Sequence, residues 1–459
     1  MQIERFDVIV LGAGPGGEVV VYRLAPLGLK VALVERELIG GECSYWACVP
    51  SKTLLRPAEI AAEGSRGFGT RPSPLEWSEI AAYRDYMVRD YDDHKQIDEY
   101  GRMGVTVVKA PGRLVGPGAV EADDRRLEAP HIVVATGSDP VVVPVEGLAE
   151  AGYWTNREAT GLKRVPDSVV VQGGGAVAVE LGQMLARYGA EVTLVQRSDR
   201  VLSKLEPEAC RLLAESLEAG GVRVLTGTTV QAVERRQTGA GVRRVVTLSD
   251  GSTVQAAEFL AATGRRPRIA GAGLGTVGLG EVEALEIDDH GRVGNGPEGL
   301  WAVGDVTGVA LFTHVAKYQG RGVAANIVAA RGEGEARQLD YDAVPRVTFT
   351  DPEVASVGLT EALADEAGLD VKTATVELTS ITRSYTYEKE PRGLLKLLAA
   401  RDDGRIVGAT AVGPLASEWI HVATIAVSAR LPASFLRDTI VQYPTFGEAY
   451  IAAAEQLTS

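Results

Sequence analysis

The rhythm of apolar and polar positions changes soon after the chain begins. "FDVIVLGAGPGG" (6–17) is an unbroken apolar run that stops at a cluster of glycines. A short apolar run rich in β-branched residues, followed by a turn signal, predicts a strand buried on both faces. Mostly apolar and small residues then lead to Gly28 with helical spacing, and residues 31–34 form a second apolar run. Strand, glycine turn, helix and strand together make a βαβ unit. Residues 167–197 repeat the unit without a gap: Gly12 aligns with Gly173, Gly14 with Gly175, Gly17 with Ala178 and Gly28 with Gly189. Three shorter patterns share the design. "HIVVATGSDP" (131–140) and "FLAATGRRPR" (259–268) each carry an apolar strand into Ala-Thr-Gly, and "LWAVGDVTG" (300–308) carries one into Gly304-Asp305. The patterns predict an α/β chain with two Rossmann-like dinucleotide-binding domains.

The glycine turns supply the first chemistry. Gly12 and Gly173 permit a tight turn, Gly14 and Gly175 let backbone approach a pyrophosphate, and Gly17 and Ala178 let helix and strand pack closely, with the helix N-terminus facing the phosphates. One such motif is a weak signal, but two in the same strand–helix–strand setting point to two dinucleotide sites. The second strands end differently. Glu35, followed by Arg36, is the acid expected on a ribose 2′-hydroxyl, so the first unit suits FAD or NAD. Gln196 holds the matching place in the second unit, followed by Arg197, Arg200 and Lys204. A carboxylate would repel a 2′-phosphate, whereas an amide beside arginine accepts one, which favours NADPH over NADH.

Composition narrows the classes. A length of 459 residues suggests about three domains. The net charge of −14 argues against nucleic acid or an anionic membrane as partner, since both need a basic face. No apolar run approaches the roughly 18 residues of a membrane span, and the acidic, glycine-broken start lacks the features of an export signal. A cytoplasmic location is expected. Three cysteines in such a chain make no disulfide framework.

Two of those cysteines lie in "GGECSYWACVPSK" (40–52). On a continuous helix, positions five apart diverge by about 140°, out of the roughly 4.4–6.8 Å Cα reach of a disulfide. A bond between Cys43 and Cys48 therefore needs a distorted segment, and a strained bond is easily reduced. A close pair in a reducing compartment points to redox or metal chemistry more than to structure. A zinc site would need two more ligands, and no further Cys or His cluster provides them, so no metal is expected. Redox use and two buried thiols both remain open on spacing alone.

The same stretch resembles the active-site segment of the flavoprotein pyridine nucleotide–disulfide oxidoreductases, the family of dihydrolipoamide dehydrogenase, glutathione reductase and mercuric reductase. The resemblance extends over essentially the whole chain: the first glycine fingerprint, the cysteine pair followed by Pro50-Ser51-Lys52, both Ala-Thr-Gly turns, "GGGAVAVELG", "WAVGD" and "VPRVTFTDPEVASVGLTE" (344–361). It implies an FAD domain at 1–150 and 269–335, an NAD(P)H domain at 151–268 and an α+β dimerisation domain at 341–459, after a polar linker at 331–340. It implies a homodimer acting on a small-molecule acceptor. Hydride would reach one face of the flavin while the disulfide lies on the other. Cys48 would contact the flavin as the charge-transfer thiolate, and Cys43 would be the interchange thiol. Lys52 would sit near flavin N5, paired with Glu180. Asp305 would hold the ribityl chain and Thr313 would lie by the flavin ring. Gly41, Thr136, Gly137 and Gly264 would complete the nucleotide contacts.

The chain departs from the family pattern at three places. "QYPTFGEAY" (442–450) puts Tyr443 where the family has its catalytic histidine, while Glu448 is retained. Tyrosine titrates near 10 against about 6.5 for histidine, so ionising it at neutral pH costs roughly 4 kcal/mol. It can donate a proton, but it is a poor base for a dithiol substrate. Tyr45-Trp46 puts two large rings between the cysteines, to pack or to narrow the approach. Ala176 stands where many relatives have a tyrosine over the nicotinamide pocket. The segment 381–393, rich in Arg, Tyr and Lys, reads as a solvated hairpin in preference to the lining of a substrate channel, and Cys210 as a packed helix residue. The leading expectation is an NAD(P)H-dependent disulfide reductase. Direct reduction of quinones, metal ions or oxygen, and a non-catalytic redox sensor, are the alternatives.

Overall fold

The apolar run Val8–Leu11 is completely buried at the centre of a five-stranded parallel sheet. The strand order is Leu300–Ala302, His131–Val134, Val8–Leu11, Val31–Val34 and Thr106–Val108. Alternation sorts the side chains between two cores. Val8 and Val10 join Val20, Val21 and Leu24 of the helix Pro15–Leu24 and Val323 and Ile327 of the helix Thr313–Ala330. Ile9 and Leu11 face the other way, toward Leu114, Val120 and Leu127 of a second, four-stranded sheet. A strand clothed on both faces must be apolar at every position, which is why the run is unbroken.

This computed structural model describes residues 3–72, 74–239 and 241–459. The chain divides into two compact units. The first comprises Met1–Ser51, Ala82–Val141 and Gly264–Asp340, and the second Lys52–Ala81, Val142–Thr263 and Tyr341–Ser459.

The second unit contains the repeat of the βαβ pattern. Ser168–Gln172 pairs in parallel with Glu191–Val195 and with Glu258–Ala261, and the helix Ala176–Arg187 follows the glycine turn. A separate antiparallel sheet runs Arg346–Thr348, Glu353–Gly358, Ile406–Gly413, Leu394–Ala400, Val371–Glu377. Its apolar face meets the helices His421–Ser428 and Glu448–Thr458 around Trp419, Phe446 and Tyr450. Among the described residues, no helix is long and apolar enough to cross a membrane.

Candidate active site

The two sequence-proximal thiols lie on either side of a break between helices. Gly41–Tyr45 forms one short helix, Trp46 leaves helical geometry at φ −133°, and Cys48–Arg66 begins another. The N–H groups of Trp46 and Ala47 both donate to the carbonyl of Glu42, at 2.9 and 2.8 Å, which closes the first helix abruptly. This is the distortion that a five-residue spacing demands. Cys43 and Cys48 lie within hydrogen-bonding reach of each other. Cys48 Sγ lies 3.3 Å from Thr313 Oγ1, at the first residue of the helix Thr313–Ala330. The bond to Cys48, with burial, pushes the Cys43 thiol far above the ordinary thiol range, while Thr313 and the charge of Lys317 act in the opposite direction. Lys317 lies one helical turn beyond Thr313. Sequence reading missed it, although the i, i+4 spacing was there to be used.

The thiol-bearing helix starts against the first glycine turn. The Gly40 N–H donates to Ala13 O at 2.8 Å, and a β-carbon on Gly41 would lie 2.9 Å from Gly14 Cα. Gly12 sits at φ +105°, and a β-carbon there would be 2.3 Å from Ala135 O. A β-carbon on Gly17 would be 2.0 Å from Gly12 O, whereas one on Gly14 would meet nothing within 4 Å. Gly12 and Gly17 thus let strand and helix close up, and Gly14 leaves open space above the helix N-terminus. At the edge of that space Glu35 accepts from Ala13 N at 2.7 Å and Glu37 N at 2.6 Å, which orients an acceptor for sugar hydroxyls. Arg36 is half exposed beside Glu37. Thr136 donates to Arg268 O at 2.6 Å, and Arg268 N to Gly137 O at 2.8 Å. Gly264 O accepts from Val141 N, so the two chain crossings are tied together. Asp305 accepts from Ser138 Oγ at 2.5 Å, and Ser138 in turn accepts from Arg265 Nε at 2.7 Å. Burial raises the Asp305 carboxyl above its usual range, against the hydrogen bond from Ser138. Neither Ser138 nor Arg265 carried a sequence signal. Open backbone at a helix N-terminus flanked by acids fits FAD.

In the second unit Gly173 repeats the geometry of Gly12, at φ +128° with a built β-carbon 2.3 Å from Ala262 O. A β-carbon on Gly175 meets nothing within 4 Å, and Ala178 is fully buried. The Gln196 side chain lies over Gly174. The buried Oε1 of Gln172, at the strand end before the turn, has no hydrogen-bond partner. A free acceptor beside an open glycine turn fits a second nucleotide. Arg197 is exposed, whereas Arg200 is turned to Asp199 at 3.2 Å and Ser203 O at 3.4 Å.

Lys52 and Glu180 form an ion pair at 2.6 Å, and the other carboxylate oxygen of Glu180 accepts from Phe349 N at 2.8 Å. Tyr443 is 72% exposed, with its hydroxyl 3.5 Å from Thr382 Oγ1. Glu448 opens the last helix and accepts from Thr445 N at 3.1 Å. Residues 381–393 lie in the connection between the paired antiparallel strands Val371–Glu377 and Leu394–Ala400. Thr382–Thr386 is a 3-10 turn anchored by buried Ile381 and Ser384. Cys210 is buried and donates to Leu202 O at 3.3 Å.

Residues 6–333 match the family described as pyridine nucleotide-disulphide oxidoreductase, and residues 344–454 match that family's dimerisation domain. The chain belongs to this family. A member of it is an oxidoreductase of the FAD-dependent, pyridine nucleotide-using class, and the α/β architecture with a dimerisation domain agrees with the sequence expectation. A mercuric reductase of Streptomyces lividans is 36% identical over 467 residues, covering 99% of this chain and 96% of its own. A dihydrolipoyl dehydrogenase of Thermus scotoductus is 34% identical, covering 99% and 98%. LpdA from Mycobacterium tuberculosis superposes with a TM-score of 0.85 at 29% identity, over 99% of this chain and all of that one. The HOCl-induced flavoprotein disulfide reductase RclA from Escherichia coli, solved as a Cu(II) complex, gives 0.86 at 24% identity over 99% of both chains, a likeness of fold. Relatives named for mercuric ion and for dihydrolipoyl groups are about equally similar, so similarity does not choose the acceptor.

Proposed function

We propose that this chain is a homodimeric, FAD-containing NADPH oxidoreductase in which Cys43 and Cys48 reduce a disulfide or another thiol-reactive small molecule. The observation that carries this reading is the cysteine pair set close together across a helix break beside Thr313. The FAD domain takes 1–150 and 269–335, the NADPH domain 151–268 and the dimerisation domain 341–459. Gly12, Gly14, Gly17, Glu35, Arg36, Gly41, Thr136, Gly137, Gly264 and Asp305 hold FAD. Gly173, Gly175, Ala178, Gln196 and Arg197 hold NADPH, with exposed Arg197 meeting the 2′-phosphate. FAD bound there would supply two-electron transfer between the reduced nucleotide and the Cys43–Cys48 disulfide.

The residues of this chain do the rest. Thr313 holds Cys48 Sγ, and the Lys52–Glu180 pair keeps a cation fixed one helical turn beyond Cys48 in sequence. Cys43 attacks one sulfur of the acceptor, its thiol proton passing to the thiolate that is expelled, and leaves a mixed disulfide. Cys48 then attacks Cys43 sulfur, expels the second thiolate and closes the intramolecular disulfide. Tyr443, reaching the partner subunit's thiols with Glu448 behind it, donates a proton to a leaving thiolate.

A second reading keeps FAD and NADPH but passes electrons directly to a quinone, a metal ion or oxygen. Tyr443 in the histidine's place favours it, because tyrosine is a poor base for dithiol chemistry. Cys43→Ser separates the two. Purified enzyme assayed with NADPH against disulfides and quinones should lose disulfide turnover by at least about a hundredfold and keep quinone turnover. Undiminished disulfide turnover would remove the first reading.

A further inference from the structure

The residues that hold the thiol segment come from a part of the chain with no motif. Arg89, Asp90 and Tyr91 all have left-handed backbone, at φ +54°, +51° and +59°. Three consecutive non-glycine residues in that region are strained, and such strain persists only where surrounding contacts impose it. Tyr45 is completely buried, its ring 5.6 Å from Trp46 and 6.3 Å from Tyr91 between centroids. Tyr91 stacks on Trp46 at 6.2 Å with planes 29° apart. Arg89 lies over the Tyr45 ring at 5.8 Å and donates to its hydroxyl at 3.3 Å. The turn therefore grips the two residues at the break between Cys43 and Cys48.

We propose that Arg89 and Tyr91 are positioning residues for the thiol pair: by holding Tyr45 and Trp46 they fix the helix break, and so set how readily the Cys43–Cys48 bond opens and closes. The proposal rests on the redox reading of that pair. Closing the bond takes two protons and two electrons from the thiols and gives them to an external disulfide. The equilibrium depends on the effective concentration of one thiol at the other, and that falls when the segment between them is freed. Loosening the clasp should make the bond easier to reduce.

The test equilibrates the holoenzyme with mixtures of reduced and oxidised dithiothreitol, quenches in acid, alkylates free thiols and counts them by mass. Tyr91→Ala should lower the closing constant by about tenfold or more, and Tyr91→Phe, which keeps the ring, should stay within about twofold of wild type. If Tyr91→Ala does not fold, Arg89→Met keeps the stem, loses the hydrogen bond to Tyr45, and should lower the constant by about threefold or more. A purely structural role would lower the melting temperature and leave the constant unchanged. Wild type that forms the bond, with truncating variants all within about twofold of it, overturns the proposal. Wild type that never forms the bond overturns the redox reading itself, and the clasp with it.

Discussion

Cys43 and Cys48 share a hydrogen bond, and one thiolate raises the energy of the second. The hydrogen bond to Cys48 and burial both place Cys43 above the ordinary thiol range. Alkylation of the reduced protein across pH should therefore occur in two separate steps, with Cys43 reacting only at clearly higher pH than Cys48. Mass-resolved rates check this, and two thiols that react in parallel would contradict it. At this scale the close cysteine pair and the partners Lys52 and Glu180 were legible, because each stands within a compact motif. It did not show the contact between Cys48 and Thr313, which depends on how a distant helix starts. Nor did it show Arg89 and Tyr91, because Arg-Asp-Tyr has no glycine to announce left-handed backbone.

At the scale of elements, the two βαβ units were legible because each signal is local: buried runs of one length and glycines at fixed offsets. Interactions between distant elements were not. Lys396 lies in the apolar strand Leu394–Ala400, 3% exposed, and meets Glu206 at 3.0 Å, Glu208 at 3.2 Å and Glu361 at 3.3 Å. Nothing in "LLKLLAA" foretells three acids from two other segments. Glu206 is 2% exposed, so Lys396→Met should leave it buried without its cation and cost roughly 3–5 kcal/mol, measured by denaturant unfolding. Glu208 and Glu361 are solvated and add little. Burial opposes the charge on Lys396, but the bond to Glu206 and its neighbours prevails and raises its pKa. The stabilisation is thus complete below the ordinary lysine value of about 10.4 and is lost as pH rises through the elevated one. Segment 381–393 is exposed over much of its length, as its charged composition suggested, whereas the burial of Ile381 and Ser384 depends on tertiary packing that composition does not show.

At the scale of the whole molecule, the family assignment rests on features spread from residue 6 to residue 454. The dimerisation domain leaves Ile425, Phe435, Ile440 and Tyr443 at 62, 55, 99 and 72% exposure in the single chain, as a surface that meets another copy would. The acceptor was not legible, since no motif encodes the shape of a substrate site. The central claim is that FAD and the Cys43–Cys48 pair form one electron store. Anaerobic titration of the purified flavoenzyme with NADPH tests it most directly. The account predicts uptake of four electrons per subunit, two on each centre, with a long-wavelength thiolate-to-flavin absorption after the first two. Uptake that stops at two electrons, with the flavin bleached and no such band, would contradict it.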